Sequence, residues 1–137
     1  MMGLRTLREC RKGSTIVEFA LVAPIFVAMI FGIIEASRVF WIKQTLDEVA
    51  YSTARCMSVS STCDGEAAAR TYAVDRARGY SVSLVANNID ADTGTTCKSA
   101  PGSNSVTITK NIGAPMGGLI PQMPSTLTAT ACFPTLS

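Results

Sequence analysis

Residues 11–34 read RKGSTIVEFALVAPIFVAMIFGII, and this stretch decides how the chain is organised. Two basic residues and two small ones, Gly13 and Ser14, come before an apolar run from Ile16 to Ile34. At a rise of ~1.5 Å per residue, a helix over this run would be about 28 Å long, close to the thickness of the hydrocarbon layer of a bilayer. The run therefore predicts a helix that can span a membrane.

The residues before this run are few and basic. They carry four cations and one acid, namely Arg5, Arg8, Glu9, Arg11 and Lys12. We interpret residues 1–13 as a leader rather than as part of the folded structure. Because cytoplasmic flanks of membrane helices are rich in basic residues, we expect the leader in the cytoplasm and the residues after the run to be exported. The whole chain has a net charge of only +2, concentrated in the leader, so we expect no nucleic-acid partner.

Glu18 lies just inside the apolar run and separates three interpretations of it. A cleaved secretory signal would have an apolar region of about 7–15 residues and a small-residue cut after it, but the residues after Ile34 make a poor cut site. A permanent signal anchor fits the length but does not explain the carboxylate of Glu18. Placing such a charge inside the bilayer costs roughly 3 kcal/mol. Cleavage between Gly13 and Ser14 would create a cationic amine close to Glu18. In a bundle of such helices, Glu18 of one chain would neutralise the Ser14 amine of its neighbour and set their axial register.

The sequence as a whole predicts an α+β fold. Apolar residues keep a helical spacing beyond the membrane run, which predicts one long helix from Thr15 to Val59, and a second short helix is predicted at 65–78. Alternation of apolar and polar residues predicts a small antiparallel sheet of three to four strands, at 80–86, 104–112 and 125–133, with a short fourth at 95–98. Turns are predicted at 92–94 and 101–102. The predicted boundaries are a leader at 1–13, a long helix at 14–59 with its transmembrane segment at 16–34, and an exported α+β domain at 60–137.

Four cysteines follow the apolar run: Cys56, Cys63, Cys97 and Cys132. In a small exported domain they are expected to form two disulfides, with three possible pairings, and their spacing does not match a zinc ribbon. We favour a local Cys56–Cys63 loop and a Cys97–Cys132 link between two strand regions. Free or metal-bound thiols are the alternative. The fifth cysteine, Cys10, falls in the leader.

The composition excludes several kinds of active site. The chain contains no histidine, which rules out Ser-His-Asp and Cys-His nucleophiles and any metal site with a histidine ligand. The run from Asn88 to Gly94 is only partly similar to a calcium loop, since the glycine is one position late and Ser99 replaces the closing glutamate, so we interpret it as a turn. We therefore expect a protein without enzymatic activity, cofactor or metal.

A loop from Gly113 to Pro124 is rich in glycine, proline and methionine. Its apolar residues allow two interpretations. It is an exposed contact surface for a partner subunit, or it folds over the edge of the sheet.

The residues around Gly13 resemble those of type IV pilin precursors that are cut by prepilin peptidase. More narrowly, GSTIVEFALVAP at 13–24 followed by FGIIE at 31–35 is similar to the TadE-like minor pilins, or pseudopilins, of the tight-adherence (Tad/Flp) pilus system. The resemblance covers about residues 11–45, and the remainder is similar only in its layout of a helix followed by cysteine-stapled strands. Because the major pilins of this system are much shorter, an exported domain of this size favours a minor subunit.

This resemblance implies roles for four residues. Gly13 would precede the cut, Ser14 would be the mature N-terminus, and Glu18 and Phe19 would act in subunit assembly. The implied partners are prepilin peptidase, other major and minor pilin subunits, the inner-membrane pilus assembly platform and, before assembly, the lipid bilayer. The implied location is the bacterial inner membrane, with a cytoplasmic N-terminus and a periplasmic C-terminal domain, and then the pilus or cell surface.

Two alternatives stand beside a role in pilus assembly, priming or tip structure. The first is a single-pass, signal-anchored envelope protein with a small disulfide-stapled binding domain. The second is a secreted enzyme or inhibitor that signal peptidase releases after about residue 36.

Overall fold

A computed structural model describes residues 12–113 and 124–135 of the chain. Within these residues the elements are α1 (Lys12–Val59), α2 (Glu66–Gly79), β1 (Ile89–Cys97), β2 (Ala100–Asn111) and β3 (Thr126–Pro134). Short 3₁₀ turns lie at Ser61–Cys63 and Ala86–Asn88. The predicted α+β class is confirmed, with its long N-terminal helix, second short helix and small antiparallel sheet. The chain divides into two units, Met1–Ser37 and Arg38–Ser137.

The described strands form one antiparallel sheet in the order β1-β2-β3. β2 and β3 pair without interruption from Ser103 opposite Pro134 to Asn111 opposite Thr126. β1 and β2 are joined by the two-residue turn Lys98-Ser99, in which both residues have positive φ, at 47° and 72°. Positive φ at both central residues suits a two-residue hairpin, because its twist then matches that of the strands.

The core of the Arg38–Ser137 unit combines the second part of α1, α2 and one face of the sheet. Its largest fully buried apolar side chains come from α1 and from the first two strands, and they are Leu46, Val49, Ile89, Val106 and Ile108. The buried face of α2 consists of alanines four residues apart, Ala69, Ala73 and Ala77. Because an alanine side chain ends at Cβ, this face lets the backbone of α2 come close to β1, its main contact among the strands.

A buried amide connects the sheet to α1. Asn104 is 3% exposed, and its Nδ2 donates to Ser58 Oγ at 2.9 Å while its Oδ1 accepts from the N–H of Gly94 at 3.3 Å. No buried side-chain nitrogen or oxygen within the described residues lacks a hydrogen-bond partner. A buried polar group must be paired to avoid its desolvation penalty, so Asn104 orients β1 and β2 against the helix.

The predicted strand at 80–86 is wrong. This segment forms no strand, although Val82 is buried and Leu84 packs against the core. Its backbone is satisfied elsewhere, since the N–H of Val82 donates to the carbonyl of Ala77 and Lys110 Nζ donates to the carbonyl of Ser83. Alternating burial is therefore possible here without a neighbouring strand.

The predicted turns at 92–94 and 101–102 are also wrong, because both lie within strands. β1 passes through Asp92 and Gly94 with a register shift, and Gly94 has a positive φ of 65°. An extra residue in one strand, with glycine at the special φ, is typical of a β-bulge. The short strand predicted at 95–98 is the second part of β1, and Pro101 and Gly102 begin β2.

Two predicted regions lie outside the described residues for most of their length. They are the leader, of which only residues 12 and 13 are described, and the contact loop at 113–124, of which only the two end residues are described.

Candidate functional site: the apolar part of helix α1

The proposed processing and assembly residues all lie in the first turns of α1. The helix begins at Lys12, so the backbones of Gly13 and Ser14 are already helical. Ser14 and Glu18 are four residues apart, so their backbones lie about one helical turn apart along α1. An amine at Ser14 would therefore lie at the same end of the helix as the Glu18 carboxylate, where the helix dipole favours negative charge.

The large apolar side chains of residues 15–37 of α1 are exposed around the whole helix. Glu18 is exposed, Phe19 is 72% exposed, and the same holds for apolar residues around the whole helix, such as Ile16, Leu21, Ile25 and Phe31. Among the described residues, α1 is the helix that is long and apolar enough to cross a membrane, and none of its most apolar window is buried by the rest of the chain. A helix that is apolar all round is stable in an apolar environment such as a bilayer or a bundle of helices.

The polar groups within this part of α1 are suited to such an environment. Ser37 Oγ donates to the carbonyl of Ile33 at 2.7 Å, so its hydroxyl is satisfied inside the helix. Pro24 lies inside α1, and the helix continues on both sides of it. Helices can enter a bilayer because their backbone groups are paired internally, and hydroxyls that bond back to the preceding turn follow the same rule.

The four cysteines of the Arg38–Ser137 unit form two disulfides. Cys56 is bonded to Cys63 and Cys97 to Cys132, with Cα–Cα distances of 5.7 Å and 5.9 Å. These are the pairs that the sequence interpretation favours. The first closes a short loop between the end of α1 and the 3₁₀ turn before α2, and the second joins the end of β1 to β3.

Within the part of the chain that the structure describes, no three His, Cys, Asp or Glu side chains cluster in a way that could hold a metal ion. Asp90 and Asp92, from the partial calcium pattern, are exposed residues of β1. The sequence analysis interpreted Asn88–Gly94 as a turn, but most of this segment belongs to strand β1.

The family comparison falls on this same helix. The family model for TadE-like protein matches residues 13–55. This segment is TadE-like. Comparison with curated proteins and with solved structures gives no match. The matched range begins at Gly13, includes Glu18 and Phe19, and ends inside α1.

The TadE-like match relates residues 13–55 to the proteins of the tight-adherence pilus system. The apolar helix that carries the match is compatible with membrane anchoring.

One group of side chains in the Arg38–Ser137 unit escaped the sequence analysis. Tyr51 and Arg55 on α1 and Tyr72 and Arg76 on α2 line a common cleft. The sequence does contain a signal for it, because Tyr-x-x-x-Arg occurs once in each helix and this spacing places the two side chains on one face. The signal is visible only once the two helices are known to pack side by side.

Proposed function

We propose that the protein is the precursor of a minor pilin, or pseudopilin, of a tight-adherence pilus. The observation that carries this proposal is the TadE-like match, which begins at Gly13 and covers an apolar helix that is exposed within the described part of the chain. An assembly subunit needs such a surface, because it exchanges lipid contacts for contacts with other helices. The role proposed within the pilus is assembly, priming or tip structure.

We further propose that prepilin peptidase cuts between Gly13 and Ser14. The supporting observations are the basic residues before the junction, the small residues on both sides of it, and the start of the family match at residue 13. The cut would give the mature chain a cationic N-terminus at Ser14, one helical turn before Glu18.

Glu18 and the new amine are proposed to hold neighbouring subunits in register. In an apolar bundle each unpaired charge is strongly disfavoured, so an amine and a carboxylate from adjacent helices are driven to pair. Because both groups are close to the helix start, this pairing permits few axial offsets between subunits. Phe19, which is 72% exposed, would then pack against a neighbouring helix rather than its own domain.

The proposed partners and location follow from the same features. The partners are prepilin peptidase, other major and minor pilin subunits, the inner-membrane assembly platform and the lipid bilayer. Basic residues before the apolar run favour a cytoplasmic N-terminus, and two disulfides in the Arg38–Ser137 unit favour an oxidising periplasm. After assembly the subunit would be located in the pilus at the cell surface.

The N-terminus of the protein purified from membranes tests this proposal. A C-terminally tagged form is produced in its native host, with and without an active prepilin peptidase, and its intact mass is determined. We expect a chain that starts at Ser14 when the peptidase is active and a full-length precursor when it is not. A full-length chain in both strains would support the anchored envelope protein instead, and a start after about residue 36 would support the secreted one.

A further inference from the structure

A cleft of about 470 Å³ lies between α1 and α2 in the Arg38–Ser137 unit. One wall is the last part of α1, the other is the middle of α2, and the loop after Cys56 closes one end. Its volume falls in the range of about 300–1,000 Å³ that is typical of sites for small molecules. Neither the TadE-like match nor the proposed assembly role assigns anything to it.

Two contacts fix parts of the cleft lining. The Cys56–Cys63 disulfide ties the end of α1 to the loop that precedes α2. The ring of Tyr51 meets that of Phe133 edge to face, with 6.0 Å between the centroids, so the helix side chain is supported by β3. A ligand would therefore meet a site that is already formed, and binding would need little ordering of the protein.

The cleft contains two arginines, Arg76 and Arg55, which differ in their ion pairs within the described residues. Arg76 on α2 pairs with Glu48 on α1, with 3.5 Å between Nη2 and Oε1. Arg55 is exposed, and no carboxylate within the described residues forms an ion pair with it. A guanidinium presents a planar fork of N–H donors that matches a carboxylate. The free charge thus favours an anionic ligand.

The uncharged side chains of the cleft indicate what the rest of the ligand should be. Tyr51 and Tyr72 offer an aromatic ring from each helix, and Ser52 and Thr62 add hydroxyl groups. Aromatic faces pack against the C–H surface of a ring, while tyrosine, serine and threonine hydroxyls can donate to or accept from ligand hydroxyls. A fully apolar ligand would leave these groups and Arg55 unused.

We propose that this cleft binds an acidic sugar residue, with Arg55 on the carboxylate and Tyr51 and Tyr72 against the pyranose ring. The site would recognise a carboxylate-bearing saccharide of the uronic acid type. This inference does not depend on cleavage at Gly13 or on filament assembly, because every residue it uses lies in the Arg38–Ser137 unit.

Binding of digalacturonic acid to the full-length, disulfide-bonded protein in detergent micelles tests the proposal. Titration by calorimetry and by NMR should show saturable binding, with the largest shifts at residues of the cleft. The methyl ester of the same disaccharide keeps the ring and loses the charge, so we expect it to bind roughly tenfold more weakly or not at all.

Two variants make the test specific. Arg55→Gln removes the unpaired cation from an exposed position and should weaken binding roughly tenfold without changing the thermal unfolding midpoint. Arg78→Gln is the matched control, because Arg78 is an exposed arginine of α2 that pairs with Asp75 and does not line the cleft. Its affinity should equal that of the unmodified protein.

Several outcomes would overturn the proposal. They are the absence of saturable binding, equal affinity for the acid and its ester, or equal effects of the two arginine variants. Saturable binding of an aspartate-rich peptide at the cleft, without binding of digalacturonic acid, would also overturn it and would replace the sugar with a protein ligand.

Discussion

Helix α1 has the same secondary structure on both sides of Ser37 but opposite patterns of burial. Before Ser37 its large apolar residues are exposed, with Ile25 and Phe19 each at 72%. After Arg38 the helix has a buried face, in which Leu46 and Val49 are fully covered by the rest of the Arg38–Ser137 unit. Among the described residues, therefore, one part of the helix belongs to a core, whereas the large apolar side chains of the other part are exposed.

The largest expected effect concerns the junction at the start of the exposed part. Gly13→Val places a branched side chain next to the proposed scissile bond, where we expect it to block the peptidase completely. Gly32→Val is the control, since among the described residues a Cβ at Gly32 would meet no atom within 4 Å beyond its chain neighbours and the adjacent helix backbone. Mass spectrometry should find only precursor for the first variant and normal mature protein for the second. Mature protein from the Gly13 variant would refute the proposed cut site.

The next effect concerns the one carboxylate in the first turns of the exposed part. Glu18→Ala should leave membrane insertion intact or improve it slightly, because a charge is removed from the apolar run, but it should strongly impair assembly. Glu18→Asp keeps the charge and should restore part of the assembly. Pili are counted by electron microscopy and insertion is measured by membrane fractionation. Equal pilus numbers in all three strains would contradict the pairing argument.

In the Arg38–Ser137 unit, called the compact unit below, the two disulfides should differ in their contribution to stability. Cys97–Cys132 spans 35 residues and Cys56–Cys63 spans 7. From loop-closure entropy, loss of the first should lower the free energy of unfolding by roughly 4 kcal/mol and loss of the second by roughly 2 kcal/mol. Denaturant titration of the two double alanine variants measures both values. The reverse order would show that chain entropy does not control the difference.

The comparison between the two regions can be tested directly with one type of substitution. Ile108→Ala removes a fully buried side chain and should lower the free energy of unfolding of the compact unit by about 3 kcal/mol. Ile25→Ala, at a residue 72% exposed, should change it by less than about 0.5 kcal/mol. Chemical denaturation in the same detergent, followed by the fluorescence of Trp41, gives both values. Similar losses for the two variants would mean that the exposed part contributes to the same core.

The smallest effect is expected on the polar surface of the compact unit. Lys43 and Asp47 form an ion pair on α1, but their side chains are 41% and 52% exposed, so solvent screens the interaction. Asp47→Asn should therefore lower the free energy of unfolding by only roughly 0.3–0.5 kcal/mol. Lys43 also donates to the carbonyl of Thr128, a contact that this variant leaves in place. A loss above 2 kcal/mol would show that the pair acts as part of a larger network.

Sequence patterns predicted the helices much better than the first strand. The apolar spacing from Thr15 to Val59 indicated α1 nearly to its ends, and the alternation in 104–112 and 125–133 located most of β2 and β3. The alternation at 80–86 was misleading, because Val82 is buried by packing against the core and not by a sheet. Conversely β1 contains a bulge at Gly94, so its pattern is broken and resembles a turn.

The cleft could not be predicted from the residue pattern of either helix alone. Tyr51 and Arg55 form one pair and Tyr72 and Arg76 another, and nothing within either helix specifies that the two pairs face a common space. Only the packing of α1 beside α2 brings the two pairs to one cleft.

An apolar length, a basic flank and a single acid are properties of adjacent residues, and residues 11–34 alone were enough to predict a helix of membrane length. Other features depend on residues that are far apart in the chain. They are the register of the strands, the bulge at Gly94, the contacts of Asn104 and the cleft between α1 and α2. Such contacts form only when the chain collapses onto a shared core, since their free energies depend on the positions of all the partners at once. For that reason the compact unit had to be seen folded, whereas the exposed part of α1 could be understood from its residues in order.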